Sequence, residues 1–101
     1  MPARHLLDQA DARYNVGEHA AARALYEQAL ALYRDAAAWD HPDRAHALYG
    51  LGRTRVELGS YAGARRPLEQ ALAVRRRVLG PDHPEAAAAH ALGELLFDLG
   101  R

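Results

Sequence analysis

The chain repeats itself with a period of 42 residues, and this period limits what it can fold into more than any other feature. Shifted by 42 positions, residues 27–31 fall on residues 69–73, and both segments read Glu-Gln-Ala-Leu-Ala. Residues 40–42 likewise fall on residues 82–84, and both read Asp-His-Pro. A period of about 20–50 residues is typical of stacked supersecondary units, each unable to bury its apolar face alone. The sequence therefore predicts a repeat scaffold, whose class of function is binding.

Composition limits the possible partners. The 101 residues leave room for one domain, spanning residues 1–101. Thirteen basic residues, all of them arginine, are balanced by 13 acidic ones, so no net field would steer the chain to nucleic acid or to an anionic membrane. The absence of cysteine excludes disulfides and cysteine zinc sites. No apolar run approaches a membrane span of about 20 residues, and we expect a soluble, cytoplasmic protein.

Apolar side chains recur every three or four residues, which predicts helices and no strands. We expect five helices, over about 2–16, 18–38, 42–58, 60–79 and 84–99. Gly17 and Gly59 mark two of the helix ends. Gly50 and Gly52 lie inside the third helix, where each costs about 1 kcal/mol of helix propensity, and this cost suggests that two backbones meet closely there. Pro67 lies inside the fourth helix and should bend its axis.

The two Asp-His-Pro segments are predicted to start helices. Asp40 stands three residues before Asp43, and Asp82 three before Glu85, a spacing that resembles a capping box. In this interpretation the first carboxylate accepts a hydrogen bond from a free backbone N–H, and the proline occupies the first turn, where a missing N–H costs nothing. Ser60 is expected to cap the fourth helix.

The second copy of the repeat carries a known pattern: Leu51, Gly52, Gly59, Tyr61, Ala64, Leu68 and Ala71. This pattern resembles the tetratricopeptide repeat. The 42-residue period and the segment 79–84, Leu-Gly-Pro-Asp-His-Pro, are similar to the kinesin-light-chain-like subfamily, which is widespread in bacteria. The resemblance implies an all-α fold, a right-handed α-α superhelix of about two and a half repeats. The repeats would cover about 3–38 and 42–79, with a half repeat at 84–99.

The sequence departs from the family at two places. Arg13 and Arg55 stand where the family usually has an aromatic residue in the first helix of each repeat. Gln9 and Ala10 replace the Leu-Gly pair in the first copy, which predicts different packing of the first repeat.

In this family the first helix of each repeat lines a concave surface, and the resemblance implies that this surface binds a peptide or protein. The implied binding residues are Leu7, Asp11, Tyr14, His46, Tyr49, Arg53, Val56, Glu57, His90, Glu94 and Phe97. The residue types support this hypothesis, because Tyr and Arg are the most frequent anchors of interfaces. The alternative is that Tyr49 and Phe97 are simply core residues.

Catalysis and cofactor binding are not expected. A metal needs three or four convergent ligands, and His46 and His90 are not accompanied by the spacing that would supply them. Ser60 is the only serine, which argues against a Ser-His-Asp site. The carboxylates of Asp8 and Asp11 and the arginine run 75–77 are interpreted as solvated helix faces. The sequence thus predicts no catalytic residue, no metal and no cofactor.

Self-association is the second hypothesis. The last predicted helix has no following helix to cover Leu95, Leu96 and Leu99, so we expect these side chains to contact another chain in a homo-oligomer. A related alternative is that the sequence is a fragment of a larger repeat array in a bacterial regulatory or signalling protein. The identity of the partner is not encoded in any motif of the chain.

Overall fold

The computed structural model describes residues 2–34, 41–80 and 94, and the described chain is helical without strands. Four helices follow one another: α1 spans Pro2–Asn15, α2 His19–Ala31, α3 Pro42–Glu57 and α4 Tyr61–Leu79. Each helix packs chiefly against the next, and α1 also contacts α3. The predicted fifth helix, the Asp82 cap and Leu95, Leu96 and Leu99 lie outside the described residues. No helix in the described ranges is long and apolar enough to cross a membrane.

The end of α2 differs from the prediction. The sequence predicted a helix to about residue 38, but α2 ends at Ala31. The amide groups of Leu32 and Tyr33 donate to the carbonyl oxygens of Ala29 and Leu30, three residues back, and these bonds tighten the last turn. The Tyr33 ring is buried as a result, and its hydroxyl donates to the Asp43 carboxylate at 3.1 Å. Residues 35–38 of the predicted helix lie outside the described residues.

The start of α3 confirms the Asp-His-Pro segment as a helix start but corrects the capping side chain. His41 is the N-cap residue, and its Nδ1 accepts the hydrogen bond from the Asp43 amide at 3.0 Å. Pro42 occupies the first turn as predicted. Ser60, the expected cap of α4, makes no side-chain capping bond. The N-cap therefore lies one residue later than the predicted capping box, and Asp40 itself lies outside the described residues.

The core depends on the close approach of α2 and α3. The Tyr26 ring of α2 is fully buried and lies against the α-carbon of Gly50. A β-carbon at Gly50 would overlap the ring, and one at Gly52 would come within 2.5 Å of Leu68 on α4. The two glycines therefore let α3 approach α2 on one side and α4 on the other. The expected contact between two backbones is found only at Gly52, where an added β-carbon would also lie 3.3 Å from the Ala64 carbonyl oxygen; at Gly50 the close neighbour is a side chain.

Pro67 lies inside α4, where its buried ring has no N–H to donate to the carbonyl of Gly63, four residues back. That carbonyl oxygen accepts a hydrogen bond from Nη1 of Arg55 instead, at 2.8 Å. Arg55 stands where the resemblance described above implies an aromatic residue. The Arg55 guanidinium therefore supplies the hydrogen bond to the Gly63 carbonyl oxygen that Pro67 cannot supply.

Alanine substitutions at Gly50 and Gly63 distinguish the steric effect of an added β-carbon from its effect on helix propensity. Gly50→Ala should lower the free energy of unfolding by about 1–3 kcal/mol, because overlap with the Tyr26 ring outweighs the propensity gain. Gly63→Ala is the matched control, since its β-carbon would meet Arg55 Cδ at an ordinary 3.6 Å. This variant should be up to about 1 kcal/mol more stable than wild type in urea denaturation. Equal gains in both variants would contradict the close approach.

The Arg55–Gly63 bond predicts a coupling to Pro67. Arg55→Met keeps much of the apolar stem and removes the donor, and it should cost about 1 kcal/mol in the wild type. In a Pro67→Ala background the residue-67 amide can bond to the Gly63 carbonyl, so the same substitution should cost at least about 0.5 kcal/mol less. A double-mutant cycle by urea denaturation measures the difference. An identical cost in both backgrounds would show that the guanidinium does not compensate for the proline.

Candidate functional site

Asp11, on α1, is the centre of a polar network that joins three helices. Its carboxylate accepts a hydrogen bond from the Tyr26 hydroxyl of α2, and its two oxygens lie 2.8 and 3.0 Å from His46 Nε2 of α3. Because a carboxylate only accepts, His46 donates from Nε2. An Nη atom of Arg53, one turn from Tyr49 on α3, lies 3.9 Å from the same carboxylate. The network holds α1 and α3 side by side with their polar groups facing the same space.

Arg53 is stacked between aromatic rings. The central guanidinium carbon of Arg53 lies 3.9 Å from the ring centroid of Tyr14 on α1 and 5.5 Å from that of Tyr49. The guanidinium of Arg75, from α4, lies 4.8 Å from the Tyr49 ring. Aromatic rings and guanidinium groups thus alternate in a row that extends from α1 across α3 to α4. The Nε atom of Arg53 is buried and has no hydrogen-bond partner among the described residues.

A second histidine, His19 at the start of α2, borders the Tyr14 ring edge-on with centroids 5.1 Å apart. Its Nε2 atom lies 4.0 Å from the Glu57 carboxylate at the end of α3. Its Nδ1 atom is buried without a partner among residues 2–34, 41–80 and 94. Burial is the largest cause that raises the pKa of Tyr14, so the ring is partly removed from water in this environment.

The structure brings most of the described candidate residues together. Asp11, Tyr14, His46, Tyr49 and Arg53 are half-buried and belong to one cluster on α1 and α3, and Glu57 lies at its edge. We call these six residues the α1–α3 cluster.

The other candidates lie elsewhere. Leu7 is fully buried in the core and presents no surface. Val56 packs against the Ala64 and Leu68 side chains. Glu94 is exposed, and His90 and Phe97 lie outside the described residues.

Sequence reasoning missed three members of the environment: Tyr26, His19 and Arg75. Tyr26 is not among the predicted site residues, although a buried tyrosine hydroxyl usually needs a partner and could have indicated a polar contact. Two interpretations are corrected. Asp11 does not lie on a solvated face, because it accepts from two helices. Arg75 is only 5% exposed and packs on Tyr49, whereas Arg76 and Arg77 are exposed as expected. A run of three arginines does not reveal by itself which one points inward.

The chemistry of this arrangement suits recognition. In the described part of the chain, no group of three or more His, Asp or Glu side chains could hold a metal ion. A cavity of about 280 Å³ opens beside His46, between the starts of α1 and α3 and the end of α4. Its lining includes Arg4, Arg75 and the apolar Val74 and Val78. The cluster therefore offers aromatic faces, guanidinium donors and carboxylate acceptors next to a small recess whose lining is largely polar.

The buried tyrosine of the network predicts a dependence of stability on alkaline pH. Burial first, and then the hydrogen bond to Asp11, raises the pKa of Tyr26 from 10.0 to about 12. Because the folded-state pKa is the higher one, this stabilisation is complete below about pH 10 and is lost as the pH rises through about 12. The accepting carboxylate is partly exposed, so we expect a loss of about 1–2 kcal/mol.

Tyr26→Phe tests this dependence by urea denaturation between about pH 8 and 12. The variant should lose about 1 kcal/mol at neutral pH and should show a shallower alkaline decline than wild type. Tyr61→Phe, which removes an exposed hydroxyl, is the matched control and should follow the wild-type curve. Parallel curves for wild type and Tyr26→Phe would contradict the role of the Asp11 bond.

Comparison with known proteins agrees with the repeated sequence and the stacked helices. The comparison with curated proteins gave no match. A family model described as "Tetratricopeptide repeat" matches residues 2–77, which include α1, α2, α3 and nearly all of α4. A match over this share of the chain, together with an all-helical fold, establishes the family. The chain belongs to the tetratricopeptide repeat family.

Proposed function

We propose that this chain is a non-catalytic protein-interaction module that binds a peptide or protein segment on the α1–α3 cluster. Tetratricopeptide repeats generally mediate protein–protein interaction, and they typically do so without catalysing a reaction. In the proposed arrangement α1 and α3 are the first helices of two successive repeats, and they line the concave face of a superhelix. The described helices supply two repeats of that face.

The observation that carries the proposal is the state of Arg53. Its side chain is 28% exposed, stacked on Tyr14, and only loosely paired with Asp11 at 3.9 Å. The carboxylate already accepts from Tyr26 and His46, so it is not dedicated to the guanidinium. A guanidinium has five N–H donors; this one is held in place by aromatic stacking and by an interaction with the Tyr26 side chain, and its buried Nε has no hydrogen-bond partner among the described residues. It is therefore preorganised to donate to carbonyl or carboxylate oxygens of a partner.

The tyrosines supply the second element of recognition. Tyr14 and Tyr49 flank Arg53 and are neither fully buried nor fully exposed. Aromatic rings of this kind present a large contact area with little conformational entropy to lose. Val56 belongs to the packing under Tyr49, and Leu7 supports α1 from the core. His90, Glu94 and Phe97 stay in the proposal as a third-repeat extension of the same face.

Self-association remains a separate hypothesis. It depends on Leu95, Leu96 and Leu99, and no described contact supports or opposes it. The kinesin-light-chain-like subfamily, and a place in a larger repeat array of a bacterial regulatory or signalling protein, are further proposals. The α1–α3 cluster is the proposal with direct geometric support.

A peptide screen followed by matched substitutions tests the function. We expect peptides from a random library to bind with a Kd of about 1 μM or weaker, because two repeats offer a small footprint. Arg53→Lys keeps the charge and removes the planar stack, and it should weaken binding about tenfold. Tyr49→Ala should do the same by removing the neighbouring ring. Circular dichroism and urea denaturation confirm that each variant is folded.

Arg76→Ala is the control, because Arg76 is an exposed cation on α4 outside the cluster. It should change the Kd less than about twofold. Selected peptides whose affinity depends on Arg76 or Arg77 and not on Tyr49 or Arg53 would refute the proposed site. A library that yields no binder to the folded protein would also count against it.

A further inference from the structure

The histidine that begins α3 makes an uncommon capping bond. His41 Nδ1 accepts a hydrogen bond from the Asp43 amide at 3.0 Å, whereas most helix starts use an oxygen atom of Ser, Thr, Asp or Asn as the acceptor. An imidazole nitrogen accepts a hydrogen bond only while it carries no proton. The bond therefore requires the neutral ring, with its proton on Nε2. A serine or asparagine cap has no such requirement.

The other groups of the first turn do not depend on the imidazole. Pro42 has no N–H to donate. The amides of Arg44 and Ala45 donate to the carbonyl oxygen of His41, at 3.0 and 3.3 Å. Among the described bonds of this turn, the bond of the Asp43 amide is thus the one whose acceptor can take up a proton near neutral pH.

Three groups face the imidazole within the described ranges. Oδ2 of Asp43, on α3 itself, lies 4.0 Å from Nδ1 of His41. The Tyr33 ring, just beyond the end of α2, has its centroid 5.2 Å from that of the imidazole, with the planes tilted by 35°. Arg4 of α1 reaches this region through the Asp43 carboxylate, to which it donates at 3.2 Å. A protonated ring would therefore meet one anion, and the cation beside it is already paired with that anion.

Protonation reverses the role of Nδ1. A proton on this atom turns the acceptor into a donor, and its N–H would then point at the N–H of the Asp43 amide. The Asp43 carboxylate accepts hydrogen bonds and lies 4.0 Å away, so a small rotation of the ring brings the new N–H to Oδ2. The side chain of His41 is 47% exposed, which leaves space for that rotation. The amide then loses its acceptor, and Oδ2 gains a donor beside the Tyr33 hydroxyl, which already donates at 3.1 Å.

The turn that carries these groups borders the proposed binding site. Pro42, Asp43 and His46 all line the cavity of about 280 Å³ beside the α1–α3 cluster. An effect of acid on peptide binding would rest on the function proposed above. The rearrangement of the His41 and Asp43 hydrogen bonds is a property of the unbound protein and is measured without a peptide.

We propose that His41 and Asp43 form a proton-sensitive switch in the first turn of α3. In the neutral state the Asp43 amide donates to the imidazole, and in the protonated state the imidazole donates to the Asp43 carboxylate. Histidine is the side chain that ordinarily changes charge between about pH 5 and 8, so the switch operates in that range. The lost cap and the gained ion pair act in opposite directions on the free energy of unfolding. The signature of the switch is therefore a released amide in a protein that stays folded.

Nuclear magnetic resonance of the ¹⁵N-labelled full chain between about pH 5 and 8 tests the switch. The imidazole ¹⁵N signals should show an unprotonated Nδ1 in His41 at the alkaline end and a protonated one at the acid end. The Asp43 amide proton should move upfield over the same range, because it loses its acceptor. Its exchange with solvent, relative to an unstructured peptide at the same pH, should become about fivefold faster at the acid end, which is the typical contribution of a cap.

His41→Asn supplies an acceptor that does not titrate in this range. In this variant the Asp43 amide should show neither the upfield movement nor the faster exchange. His5→Asn is the matched control, because His5 is an exposed histidine of α1 whose described hydrogen bond is to Gln9. It should leave the titration of the Asp43 amide as in wild type. Circular dichroism of all three proteins should show the same helix content across the range.

Four results would overturn the inference. The first is a titration of the Asp43 amide that persists in His41→Asn, which would assign it to another group. The second is a proton on His41 Nδ1 already at the alkaline end, and the third is a wild-type Asp43 amide that does not respond to acid. The fourth is a cooperative loss of helix in the wild type over the same range, which would make the released amide a consequence of unfolding.

Discussion

The close approach of α2 and α3 at Gly50 is the constraint on which the rest of the structure depends. The Tyr26 ring fills the space that any β-carbon at this position would occupy. With the ring seated there, its hydroxyl reaches Asp11 on α1, and the same carboxylate then holds His46 on α3. The lack of a side chain at Gly50 thereby sets the spacing of three helices. The polar network of the candidate site is a consequence of this packing, and a wider separation of α2 and α3 would break it.

Compensation between unfavourable choices is a second theme of the fold. Glycines inside α3 and a proline inside α4 each weaken an isolated helix. The first cost is offset by the burial of Tyr26 and Leu68. The second cost is offset by Arg55, whose guanidinium donates a hydrogen bond to the Gly63 carbonyl oxygen because Pro67 has no N–H to donate. Helices of a repeat protein are stabilised by their neighbours, so local propensity is a poor guide to which residues they tolerate.

The same packing separates two faces of α3 with different chemistry. On one face, Arg53 is stacked between tyrosines and faces a carboxylate that other donors already occupy. On the other, Leu48 and Leu51 lie between two arginines. The first face presents an ordered donor beside aromatic area, whereas on the second Arg44, Leu48 and Leu51 are buried and Arg55 is half-buried. A single helix can carry both because its side chains point in all directions around the axis.

The sequence alone determined the repeat, the helix starts at Gly17–Glu18, His41–Pro42 and Gly59–Ser60, and the glycines of the close approach, because these depend on local chemistry and on a visible period. It also supplied most residues of the α1–α3 cluster, through their common helix faces and the family resemblance. Only the tertiary structure decided that α2 stops at Ala31, where Tyr33 is buried and its hydroxyl donates to Asp43 at the start of α3. It likewise decided that Asp11 and Arg75 face inward. The orientation of a polar side chain depends on the donors and rings that other helices bring to it, and no pattern within one helix records them.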